Sequence, residues 1–216
     1  MAIYFSALVK SDSILIFLRS IVSLCLTFCF FVPIAQADEE ATAEYKLKAA
    51  LLYKLTRFVT WPEQEVKTSN FAICVLGENV FADALEPLRK REVKNHPIEI
   101  FYFSQSEDIN QSCQLIFISD SKKAFIRQII QRLNDEATLT LSDSSEFAAN
   151  GGMIEFVQGE RNIGFKINSA KAKQAGLSIA APLLELAEIV GADDRKSLKR
   201  PAPNIVVLRR SSAEQW

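Results

Sequence analysis

Phe71–Leu76 reads FAICVL, six residues without one polar side chain, and the run stops at Gly77. It is the length of a strand, and its lack of alternation is the pattern of a strand covered on both faces. A chain built around such a strand needs layers on each side of its sheet. The neighbouring segments supply both strands and layers. Gln114–Ile118 (QLIFI), Ile98–Phe103 (IEIFYF) behind Pro97, and Thr138–Leu141 (TLTL) are further strand candidates.

Between the strand candidates the apolar period changes to that of a helix. Glu44–Val59 carries apolar residues around most of the helical circumference, with Lys46, Lys54 and Arg57 as a narrow basic stripe, so it predicts a mostly buried helix that ends at Trp61-Pro62. Val80–Leu88 places Phe81, Ala84, Leu85 and Leu88 on one side. Ser119-Asp120-Ser121 offers a cap to a helix in which Phe125, Ile126, Ile129, Ile130 and Leu133 share a face. Gly151-Gly152 then leads into Met153–Val157 (MIEFV). Across Gly159-Glu160-Arg161-Asn162 follows Ile163–Ile167 (IGFKI), the signature of an antiparallel hairpin. Helices near Ala170–Ala175 and Leu183–Ile189 close the pattern. The expected fold class is α/β: a mainly parallel sheet flanked by helices on both faces, with a C-terminal antiparallel hairpin.

The N-terminus decides the expected compartment. Lys10 and Arg19 precede an apolar run, Ile21–Val32, and then come Pro33 and the small-residue motif Ala35-Gln36-Ala37. Twelve residues of helix span about 18 Å at about 1.5 Å each, short of the roughly 30 Å hydrocarbon core. Residues 1–37 are therefore expected to be a cleavable secretory signal, and neither Cys25 nor Cys29 sits where a lipoprotein signal needs it. Residues 38–192 form the expected domain. The charged, proline-bearing segment 193–216 is expected to be a flexible tail, with Ile205–Leu208 as a possible edge strand.

After cleavage 23 Lys and Arg stand against 25 Asp and Glu. Such a balance provides no basic field, and nucleic-acid binding is not expected. Two cysteines remain, Cys74 and Cys113. An oxidising compartment favours a bond between them, the alternative being two buried free thiols. With one histidine, His96, and no Cys/His cluster, no metal site is expected.

Catalytic motifs are equally scarce. There is no GxGxxG, P-loop or G-x-S-x-G, and a single histidine excludes any mechanism that needs two. Gly151-Gly152 can cradle an anion through backbone N–H groups, but a tight turn before a hairpin accounts for the pair more simply. Ser142-Asp143-Ser144-Ser145 reads as a solvated loop. Tyr53, Phe58 and Trp61 read as core packing plus a corner tryptophan rather than an aromatic ligand box. The expectation is a protein without catalysis of its own and without a cofactor.

Several segments in order, AALLYKLTRFVTWP (49–62), ICVLG (73–77), CQLIFIS (113–119), LTLSD (139–143), GGMIEFV (151–157) and IGFKIN (163–168), resemble the YfiR-like family. The resemblance runs from about Glu44 to Ile189. It implies a periplasmic repressor that binds the periplasmic sensor domain of an inner-membrane diguanylate cyclase, restraining cyclic-di-GMP synthesis and biofilm formation. It also implies a homodimer, an oxidised cysteine pair to which Cys74 and Cys113 correspond, and sequestration by an outer-membrane lipoprotein. The chain lacks, around Gly151-Gly152, the second cysteine pair of some members, and since family membership does not fix the partner, a histidine kinase or another receptor is the alternative to the cyclase. Alternation along the 153–167 hairpin puts Phe165 and Ile167 inward, which leaves Ile154, Lys166 and the nearby Ala172 as the expected partner contact. The alternative function is a periplasmic domain that binds a small ligand or cell-wall fragment in a crevice at strand ends.

Overall fold

The computed structural model describes residues 35–62, 69–109, 112–133, 136–159 and 162–191 of the 216. Residues 1–34 of the expected signal, the 193–216 tail and the 160–161 turn positions lie outside the described residues. The chain divides into two units, Met1–Glu44 and Tyr45–Trp216, and the second carries the sheet.

Helix α1 spans Ala35–Leu55 and is followed by β1, Val59–Thr60. The FAICVL run is β2, Phe71–Leu76, buried at every position. It lies between two parallel neighbours, β4 (His96–Phe103) and β5 (Leu115–Ile118). Beyond β5 come β6 (Leu139–Ser142) and β7 (Ile154–Gln158), both added in parallel. β8 (Ile163–Ile167) pairs antiparallel with β7, the expected hairpin, with Phe156 opposite Phe165.

Alternate residues of these strands face two separate apolar clusters, as the two-residue period of a strand requires. Ile73, Val75, Leu115, Phe117, Leu139, Leu141, Ile154 and Phe156 pack with Leu51, Leu52 and Leu55 of α1. Cys74, Leu76, Ile116 and Ile118 pack with Ile126, Ile129 and Ile130 of α2, which spans Ile126–Arg132. A layer thus lies on each side of the sheet. This is why neither FAICVL nor LIFI tolerates a polar residue.

The sheet is mixed, however, and not the mainly parallel one expected, and its helices are few. β3 (Glu92–Val93) pairs antiparallel with the start of β4 at one edge. Lys94 and Asn95 between them both take positive φ, the conformation of a two-residue hairpin turn whose twist matches the strands it joins. Neither residue is glycine, so the usual turn signal was missing. His96, expected in a loop, begins β4. At the opposite edge Glu188–Ile189, expected to be helical, forms β10 and adds in parallel to β8. A second, two-stranded sheet pairs β1 with β9, Ser178–Ile179.

Two expected helices shrink for local reasons, and the last two are short. Val80–Leu88 forms turns, with Ala82 at φ +45° breaking the helical path, and then a 3-10 helix, Glu86–Lys90, that takes Pro87 in its first turn, where no N–H is needed. Ser119 does cap its segment through its hydroxyl, which accepts from the Ser121 N–H. Yet that segment starts as a 3-10 helix, Asp120–Phe125, and Phe125 turns outward from the face it was expected to share. α3 (Ser169–Gln174) and α4 (Ala181–Glu185) are one to two turns long.

Candidate functional site

The expected pair is bonded: Cys74 and Cys113 form a disulfide with Cα atoms 5.9 Å apart. Cys74 lies within β2 and Cys113 leads into β5, so the bond joins adjacent strands on the α2 face. It is sealed from solvent beneath Ile126, Ile129 and Leu133.

The expected contact patch fares differently. Ile154 is 0% exposed and Ala172 1% exposed; both belong to the core on the α1 face, and neither is available to a partner in a single copy of the chain. Alternation along β8 was read correctly, but Ile154 stands opposite Ile167 and so shares its inward side. Lys166 does point away from that core. Its Nζ lies 3.8 Å from Glu155, whose side chain is nearly closed off from water. Glu155 also accepts the backbone N–H groups of Glu146 and Ala148. Its role is to hold the 146–152 loop, where Gly151 takes φ +102° and a Cβ on Gly152 would strike the Phe147 ring. Gly151-Gly152 is therefore a turn shaped by packing.

The Ser142–Ser145 segment is the main correction to the sequence reading. Ser142 and Ser144 are fully buried. The Ser142 hydroxyl donates to the Ile118 carbonyl at 2.6 Å, and the Ser144 hydroxyl donates to Asp120 at 2.7 Å. Asp143, at the carboxyl end of β6, receives Lys48 Nζ at 2.5 Å and the Tyr45 hydroxyl at 2.9 Å on the same oxygen. Lys48 itself is buried and lies over the Tyr45 ring. This cluster ties α1 to the end of a central strand. The sequence hid it, because Lys48 falls among apolar neighbours and its partner is 95 residues away.

Among the described residues four large apolar side chains remain at the surface: Phe58, Tyr102, Phe125 and Leu186. Phe58 and Leu186 mark the two ends of α4, since the Ala180 N–H that opens it donates to the Phe58 carbonyl and Leu186 closes it. Tyr102 has its phenol pushed above the ordinary value by partial burial and then by Glu86. Phe125 borders a groove of about 610 Å³ between the Ser106–Asp108 turn and α2. No group of three metal-ligating side chains occurs among the described residues, and no described helix is long and apolar enough to cross a membrane.

Among curated proteins none matches the chain. Among solved structures, a conserved domain protein from Vibrio cholerae O1 biovar El Tor matches at 15% identity with a TM-score of 0.46. The match covers 67% of this chain and 59% of that one, so the chain spans less than two thirds of its length. A family model described as YfiR/HmsC-like matches residues 45–188, from the start of the α1 core face to the first residue of β10. That stretch contains the whole sheet except its last residue, the disulfide and the Lys48–Asp143 cluster, and on this match the chain belongs to the YfiR/HmsC-like family.

Proposed function

We propose that this protein is a periplasmic regulator that restrains an inner-membrane diguanylate cyclase by binding its periplasmic sensor domain. The observation that carries the reading is the family match across 45–188, in a family of periplasmic regulatory proteins. The architecture is compatible with it: a disulfide-tied sheet, layered on both sides, displays a few apolar side chains on a rigid frame, which is what a protein contact needs. With Ile154 and Ala172 inside the core, the contact moves to Phe58 and Leu186 at the ends of α4, with Lys166 contributing charge from β8, next to β10. An exported chain, cleaved after Ala37, a homodimer, and capture by an outer-membrane lipoprotein complete the proposal.

The test is a pull-down of the periplasmic domain of a membrane cyclase from the same cells, together with deletion of the gene. Deletion should raise cyclic-di-GMP and surface attachment, and complementation should restore both. Unchanged cyclic-di-GMP with no cyclase retained rejects the reading. A second reading, a small-ligand binding domain, draws support from the groove at Phe125.

A further inference from the structure

The groove at Phe125 is lined by none of the residues proposed above to meet a receptor, and its lining has a chemistry of its own. Gln128, Ile129 and Arg132 of α2 line it, and so does Phe125, which the 3-10 turn ahead of α2 rotates outward. Ile129 is buried and forms the floor, whereas Phe125 is 54% exposed although it adjoins a core that accepts Ile126, Ile129 and Ile130. Facing them across the groove are Gln105, Ser106 and Glu107.

We infer that this groove binds an acidic saccharide of one or two pyranose rings. Each part of the lining answers one part of such a ligand. The electron-rich face of Phe125 suits the C–H face of a pyranose, which is apolar and weakly positive. The Gln128 and Gln131 amides each offer donors and an acceptor and form no side-chain hydrogen bond among the described residues, which suits adjacent hydroxyls. Lys122 and Arg132 stand against the single carboxylate of Glu107, from which Arg132 is 3.3 Å away. The excess of one positive charge selects an anionic ligand. A volume of about 610 Å³ falls within the roughly 300–1,000 Å³ of small-ligand sites. A wholly apolar ligand would leave the amides unpaired, and two cations are too few for a nucleic acid.

The Glu107 carboxylate is held below its ordinary value, first by its own backbone N–H and then by the Ser106 hydroxyl, with Arg132 and Lys122 adding to this. The Arg132–Glu107 pair stands at the open side of the groove, with both side chains in contact with solvent.

Calorimetric titration of the intact protein tests the inference with digalacturonate, its methyl diester and acetate as probes. Digalacturonate should bind saturably, and the diester, which keeps the rings and loses the charge, should bind at least roughly tenfold more weakly. Phe125→Ala should weaken digalacturonate by a similar roughly tenfold, and Gln128→Ala by a few-fold. Both side chains are exposed, so the melting temperature should not move, and circular dichroism confirms the fold. The inference is overturned by no saturable binding of digalacturonate, by equal affinities for acid and diester, by a Phe125→Ala protein that binds as the parent does, or by acetate binding as strongly as the disaccharide. Retention of a receptor domain by the Phe125→Ala protein would be a separate result, bearing only on the regulatory reading.

Discussion

Reducing the Cys74–Cys113 bond should lower the stability of the protein by about 4 kcal/mol. The bond closes a loop of 39 residues. In the chain-entropy treatment, a cross-link of that span removes about 13 cal/mol/K from the unfolded ensemble, which is about 4 kcal/mol near room temperature. For a domain of this size each kcal/mol moves the melting temperature by roughly 2–4 °C, so the reduced protein should melt roughly 8–16 °C lower. Reduction is a cleaner perturbation than Cys→Ala at both positions. Substitution would also remove two sulfur atoms from a packed layer and add a cavity cost to the loop term. Burial adds a kinetic expectation: a thiol reductant cannot reach sulfurs sealed under α2, so cleavage in native buffer should be slow and should accelerate at the onset of unfolding. Calorimetry of oxidised and reduced samples, with alkylation and mass spectrometry to count thiols, makes the measurement. A difference under roughly 3 °C between fully oxidised and fully reduced samples would refute the loop-closure argument. Alkylation of both cysteines in the untreated native protein would refute the bond itself.

Ile154→Ala should cost about 2–5 kcal/mol in chemical denaturation, as for other fully buried aliphatic truncations, and Ile154→Asp should not give a folded protein; a folded Ile154→Asp variant would return this residue to the surface. Lys48→Met leaves the Asp143 carboxylate buried beside Tyr45 without its ammonium partner and should cost about 3–5 kcal/mol, whereas the double variant Lys48→Met/Asp143→Leu should recover part of it; additive losses in that cycle would show the two side chains are not coupled. Phe58→Ala and Leu186→Ala should change the melting temperature little and lower capture of a cyclase sensor domain, and unchanged capture by the double variant would place the contact elsewhere. N-terminal sequencing of the exported protein should begin at Asp38, and retention of Met1 in a membrane-embedded form would count against a cleaved signal.

The strands and their two-sided burial were legible because they depend on short-range pattern alone. FAICVL, LIFI and the IEFVQ/IGFKI pair carry their own period, and a strand that must be dry on both faces cannot conceal it. The bond between Cys74 and Cys113 was legible for a related reason, since these are the two cysteines left once residues 1–37 are read as a signal, and one pair has only one way to combine. The family resemblance rested on these same apolar segments.

Tertiary structure decided the rest. Which side of β7 meets the α1 layer is fixed by register with β6 and β8, and that register put Ile154 inside when the hairpin read alone left it free to face out. Lys48 and Asp143 are a surface cation and a loop carboxylate until α1 lies across the end of β6 and closes water out. Phe125 is its mirror image: its spacing matches the core face, but the 3-10 turn ahead of α2 rotates it outward into the groove beside the Ser106–Asp108 turn. Periodicity reports which residues share a face of their own element. Whether that face is dry depends on what the chain brings against it from far away.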